Sequence, residues 1–145
     1  LHDSLYLYAG WSVDGVLRII RQELADTIAD GYTVVFDEQG KLQSCFHFDK
    51  GIKSGPFLTL FPSGRPEMKG AYKSGSPDGT WLKFFPDGST DGIEHYQQGM
   101  RTGSWKYYHE NGKLRLMFRF QENRVVYQAN WNPDGIKTDE VTREL

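Results

Sequence analysis

From about residue 30 to residue 125, apolar and polar positions alternate with a period of two, and each run breaks at a short polar stretch holding a glycine. Such alternation marks strands, whose successive side chains face opposite ways. The breaks are evenly placed. Turn glycines recur at Gly15, Gly40, Gly64, Gly88, Gly112 and Gly135, spaced by subtraction 25, 24, 24, 24 and 23 residues apart. A second glycine pair opens each central unit (Gly51/Gly55, Gly75/Gly79, Gly99/Gly103), and an aromatic follows two residues later, at Phe57, Trp81 and Trp105. Another aromatic closes each unit, at Phe48, Tyr72, Tyr96 and Phe120. That many positions in step amount to an internal repeat.

Each unit reads as strand, tight turn, strand, loop. Glycine preceded by Asp or Asn supplies the positive φ that a hairpin tip requires. Pro86-Asp87-Gly88 predicts a type I turn with glycine in the left-handed bulge position, which pairs Phe85 with Ser89. Stepping outward from that pair sorts the side chains into two sets. One face collects Val34, Phe36, Leu42, Phe46, Phe48, Leu58, Leu60, Met68, Tyr72, Leu82, Phe84, Tyr96, Tyr108, Leu114, Leu116, Phe118 and Phe120, with Glu94 and Lys106 out of place. The other collects Phe57, Trp81, Phe85, Trp105 and Tyr107 among Lys83, Asp91, His95, Lys113, Arg115 and Arg119. The prediction is therefore an apolar face and a mixed aromatic and charged one.

The expected fold is an all-β repeat array of antiparallel β-hairpins with a period of about 24 residues, forming an extended, twisted or curled meander sheet. It reads as one domain over residues 1–145, with units near 2–26, 27–50, 51–74, 75–98, 99–121 and 122–145. The ends are less regular. The first unit fits a degenerate hairpin with Trp11 and Ile19 on the apolar face, and an amphipathic helix through Ile20, Leu24 and Ile28 competes with it. The last unit places Trp131 on the apolar face, and its polar tail is read as fraying or forming a short capping strand.

Composition narrows the function. With 17 Lys+Arg against 19 Asp+Glu and a net charge of −2, nothing suggests binding to nucleic acid, and anionic lipid fits poorly. A single cysteine excludes an internal disulfide framework. No apolar run reaches the length of a transmembrane helix. The chain opens on Leu1, as a processed product would, so its compartment is not read.

The stretches "GMRTGSWKYYHENGKLRLMFRF", "GSPDGTWLKFFPDGS" and "GIKSGPFLTLFPSGR" resemble the bacterial MORN-type repeat variant of the YwqK-like antitoxin family. That unit runs N-G-x-x-x-G-x-W-x-x-Y-x-x-N-G-K, followed by an alternating strand. The resemblance covers residues 30 to 125 well and both ends weakly; Asn123 and Arg124 fall where the last unit would open on glycine. It implies a non-enzymatic protein of stacked β-hairpins, sometimes acting as an antitoxin or immunity partner, with no catalytic residues and no cofactor.

On the mixed face, Trp81, Phe85, Trp105, Tyr107, Arg115 and Arg119 form the expected partner-binding stripe, since Trp, Tyr and Arg dominate interface energetics when desolvated. The competing reading is structural: aromatics on the second face of a single-layer sheet pack on one another and beneath Lys and Arg stems. The apolar face needs a cover, either curling with a terminal element or a second copy in a homodimer. Cys45 and His47 point the same way from one strand, but lack the third group that a nucleophile or metal site requires. Asp14, Asp87 and Asp134 precede turn glycines and are read as turn formers. The fourth unit is locally basic, with Arg101, Lys106, Lys113, Arg115, Arg119 and Arg124. The reading is a non-catalytic repeat protein that binds a protein, a toxin among the candidates. The alternative is a structural or cell-envelope module of a larger protein.

Overall fold

The computed structural model describes residues 6–24 and 28–144, and every regular element among them is a strand. The strands are β1 (Tyr6–Trp11), β2 (Leu17–Glu23), β3 (Ala29–Phe36), β4 (Leu42–Asp49), β5 (Ile52–Leu60), β6 (Pro66–Lys73), β7 (Ser76–Phe84), β8 (Thr90–Gln97), β9 (Met100–Arg101), β10 (Gly103–Tyr108), β11 (Leu114–Gln121), β12 (Arg124–Trp131) and β13 (Lys137–Thr142). Contacts divide the chain into two compact units, residues 1–76 and 77–145. In the first, β1 to β6 pair antiparallel in chain order. In the second, β7, β8, β10, β11, β12 and β13 do the same, with the short β9 beside β8. The chain is an all-β repeat of antiparallel hairpins.

The first hairpin is a strand pair rather than a helix. Leu17–Glu23 lies antiparallel to β1, as the degenerate hairpin requires, and the competing helix through Ile20 does not form. The tail makes β13 against β12. Of the span of that competing helix, residues 25–27 lie outside the described residues.

All six hairpin tips share one geometry. The N–H of Phe85 donates to Ser89 O at 2.8 Å and that of Gly88 to Phe85 O at 2.9 Å, as the turn chemistry predicts. The same two bonds close the tips at Ser12, Asp37, Phe61, His109 and Asn132. Asp87 Oδ1 accepts from the Ser89 N–H at 2.8 Å, so this carboxylate is a turn former. From the second hairpin onward, two-residue turns between hairpins hold both residues at positive φ, as in Gln98 (50°) with Gly99 (81°). Asn123 takes that place at φ 63°, a conformation that Asn tolerates better than most residues, so the missing glycine does not break the repeat.

One step beyond each tip the register departs from the prediction. Tyr108 pairs with Leu114 as expected, but Tyr107 then pairs with Leu116, leaving Arg115 unpaired in a β-bulge. The same slip leaves out Arg18, Gln43, Glu67, Asp91 and Thr138 in the other five hairpins. Because side chains alternate, a one-residue slip turns every residue beyond it to the opposite face. The apolar set read from the sequence therefore splits in two, and the first strand of each hairpin shares its faces with a different part of the second.

Within residues 77–145 one face is aromatic. Trp105 stands opposite Phe118, Gly103 opposite Phe120 and Trp81 opposite Glu94. The rings form a continuous run: Trp81 to Tyr96 at 6.1 Å between centroids, Tyr96 to Trp105 at 5.0 Å, Trp105 to Phe120 at 4.8 Å. Tilted and edge-on pairs at such separations add to the stabilisation from burial. The other face is largely aliphatic, with Leu82, Ile93, Met117 and Ala129 around Lys106.

Within residues 1–76 the division recurs. Phe46, Phe48, Phe57 and Tyr72 contact one another in sequence on one face. Ala9, Ile20, Val34, Cys45 and Leu58 stand in one cross-strand row on the other. Trp11 and Ile19, expected together, lie on opposite faces, because Ile19 pairs with Gly10 and Trp11 with Leu17.

Candidate functional site

The most chemically organised group lies on the aromatic face of β7, β8 and β10. Glu94 is only 4% exposed. Its Oε1 accepts from Tyr107 Oη at 2.6 Å and pairs with Lys83 Nζ at 2.6 Å, while its Oε2 accepts from Tyr96 Oη at 3.0 Å. A buried carboxylate is costly unless paired and hydrogen-bonded, and here both conditions are met. Burial pushes the Glu94 carboxyl upward, but Lys83 and the two tyrosine hydroxyls outweigh it and hold the group below the usual carboxylate range. Burial and the Glu94 charge drive the Tyr107 phenol well above the tyrosine range. Gly92 makes the assembly possible, since a Cβ there would lie 2.8 Å from the Tyr107 ring.

This arrangement fixes a charge rather than moving a proton. A general base works best with a pKa near the operating pH, whereas Glu94 is held ionised and Tyr107 protonated. What the cluster does is tie β7, β8 and β10 together across the sheet. Sequence reading placed Glu94 on the apolar face as a misfit; its partners could not be seen until the register brought Lys83 and Tyr107 to the same side.

Of the six residues expected to form one stripe, Trp81, Trp105 and Tyr107 share the aromatic face, while Arg119 lies on the other. Trp81 and Trp105 are 5% and 7% exposed, so the rings stand in the monomer's own aromatic run. Trp105 Nε1 also donates to His95 O at 3.0 Å. Tyr107 is half-buried over Glu94, and Phe85 is half-buried at a hairpin tip. Arg119 pairs with Ser104 and Tyr127 on the opposite face, its guanidinium 5.3 Å from the Tyr127 ring centroid. Arg115 is exposed at the bulge, 3.8 Å from Asp91.

Cys45 and His47 do share a face. His47 Nδ1 is engaged by Ser54 O at 2.7 Å and its ring packs edge-on against Tyr32, while burial raises the Cys45 thiol pKa. Among the described residues no three His, Cys, Asp or Glu side chains converge as a metal site would require.

The sequence reading put Trp11 and Leu42 on an apolar face in need of a cover, but did not place Leu7 or Tyr32 there. Leu7 is 73% exposed, Trp11 62%, Tyr32 50% and Leu42 39%. Pairing places all four on the aliphatic face of residues 1–76, alongside the Ala9–Leu58 row. The signal that could have found it is a polar residue three positions after every turn glycine, which marks the bulges.

Against known families, residues 101–122 match the MORN repeat variant. The match spans the hairpin β10–β11, so this hairpin is a MORN-type unit, and its tip and bulge geometry recur in the other five. Comparison with curated proteins finds no match.

Proposed function

We propose that this chain is a non-catalytic MORN-like repeat protein that binds another protein. The observation that carries the reading is the gathering of Leu7, Trp11, Tyr32 and Leu42 on one face of residues 1–76, each more than a third exposed. Large apolar side chains left exposed together on one face are what an interaction site on a folded protein presents. A hydrogen-bonded sheet is already ordered, so a partner laid on it forgoes much of the entropy cost of association. The resemblance of the central repeats to the YwqK-like antitoxin family points to a toxin as the partner, neutralised by being covered.

The test pairs the chain with proteins of its source cell. The immobilised chain should retain one protein at equal stoichiometry, and a Leu7→Glu/Trp11→Glu/Leu42→Glu variant with an unchanged circular dichroism spectrum should lose it. Expression of the retained protein alone should arrest growth, and co-expression with this chain should restore it. No retained protein, or equal retention by the variant, overturns the binding reading. Retention of a protein that is harmless when expressed alone overturns the antitoxin assignment.

A further inference from the structure

β8, β10, β11 and β12 carry two carboxylates, Asp91 and Glu94, against four cations, Lys106, Arg115, Arg119 and Arg124. Both carboxylates are taken. Asp91 lies 3.8 Å from Arg115, and Glu94 pairs with Lys83 on the aromatic face. Lys106 and Arg119 stand exposed on the other face, and neither forms an ion pair among the described residues. Glu140 on β13 is already held by Lys137 at 2.7 Å. Lys106 lies opposite Met117 and Arg119 opposite Ser104, so the two cations are one two-residue step, about 7 Å, apart along β10. One step the other way, Tyr108 lines an open pocket of about 320 Å³ with Thr90, Ile93 and Gly112. Ile93 stands opposite Lys106, so pocket and cations share a face and follow one another at even spacing. The guanidinium of Arg119 rests 5.3 Å from the Tyr127 ring centroid, which steadies the cation and leaves its N–H donors to a partner.

We propose that this row docks an extended acidic segment of a partner protein, with an apolar side chain in the pocket and carboxylates two and four residues along. Side chains on one side of an extended segment repeat at the same spacing of about 7 Å, so all three contacts register together. Carboxylates suit Lys106 and Arg119 because charge-assisted hydrogen bonds are stronger than neutral ones. The anchor is uncharged, because Ile93 and Tyr108 give the pocket apolar walls and the hairpin tips beyond it expose Asp87 and Glu110. A membrane fits less well: two free cations fall short of the roughly four or more that hold a protein to anionic lipid. This surface shares no residue with that of Leu7, Trp11, Tyr32 and Leu42 and does not depend on it.

The experiment uses the full chain, isotope-labelled, and a blocked, dye-labelled peptide of sequence Gly-Phe-Ser-Glu-Thr-Glu-Ser-Gly, with anisotropy for affinity and amide NMR for position. Shifts should concentrate in residues 104–108 and 117–119. Glutamine at both glutamates should weaken binding about tenfold, and so should placing the glutamates side by side, which aims one of them away. Lys106→Glu/Arg119→Glu should lose this peptide and gain one with lysines in place of the glutamates, a reversal that unfolding cannot produce. Leu7→Glu/Trp11→Glu/Leu42→Glu should bind the peptide as the parent does. Absence of binding, equal binding of the glutamate and glutamine peptides, or shifts confined to other strands would each overturn the proposal. So would phosphatidylserine vesicles or duplex DNA that displace the peptide from Lys106 and Arg119. If the peptide fails while the immobilised chain still retains its partner, this surface fails and the binding function stands.

Discussion

The hydroxyl of Tyr107 on β10 donates a 2.6 Å hydrogen bond to the buried carboxylate of Glu94 on β8, joining two hairpins through a group the solvent scarcely reaches. Lys83 on β7 completes the charge balance at 2.6 Å. Much of what is testable in residues 77–145 turns on this group and on the rings beside it.

Glu94→Ala should destabilise the fold by about 2–4 kcal/mol, since it leaves the Lys83 ammonium and two phenols without their acceptor. The Glu94 carboxyl is held below its ordinary value of 4.5, so its stabilisation is complete above that pH and is lost as pH falls through the lower folded value. Urea unfolding from pH 7 to pH 2 should show a smaller acid loss in Glu94→Gln than in the parent. Parallel curves would rule the linkage out.

Tyr107 predicts the opposite limb. Its phenol is raised above the ordinary value of 10.0, so the stability it contributes is present below pH 10 and is lost as pH climbs towards the folded value. Absorbance titration at alkaline pH should show a late-ionising component, and Tyr107→Phe should remove it. A titration unchanged in Tyr107→Phe would place the late phenol elsewhere.

Trp105 and Arg115, neighbours in the expected binding stripe, should behave differently. Trp105→Ala removes a ring packed between Tyr96 and Phe120, and the cost should be about 3–5 kcal/mol with loss of near-ultraviolet dichroism. Arg115→Ala should change stability by less than about 0.5 kcal/mol, because its ion pair with Asp91 is long and exposed. Calorimetry on the two single variants decides it, and comparable melting temperatures would contradict the burial of Trp105.

The sequence by itself determined the features that depend on a few adjacent residues. The 24-residue period, the hairpin tips at Phe85–Ser89 and their counterparts, and the turn role of Asp87 all follow from local dihedral preferences of Pro, Asp, Asn and Gly. The tertiary structure decided which side chains meet. Without the bulge Trp105 would face Met117; with it, Trp105 joins Phe118 and Phe120 on one side while Met117 and Ala129 close the other. Two ladders compete there, and burial on both faces across several strands selects between them, which turn chemistry cannot do. The same selection hides Trp81 and Trp105 and assembles the partners of Glu94, because each outcome depends on residues from different hairpins.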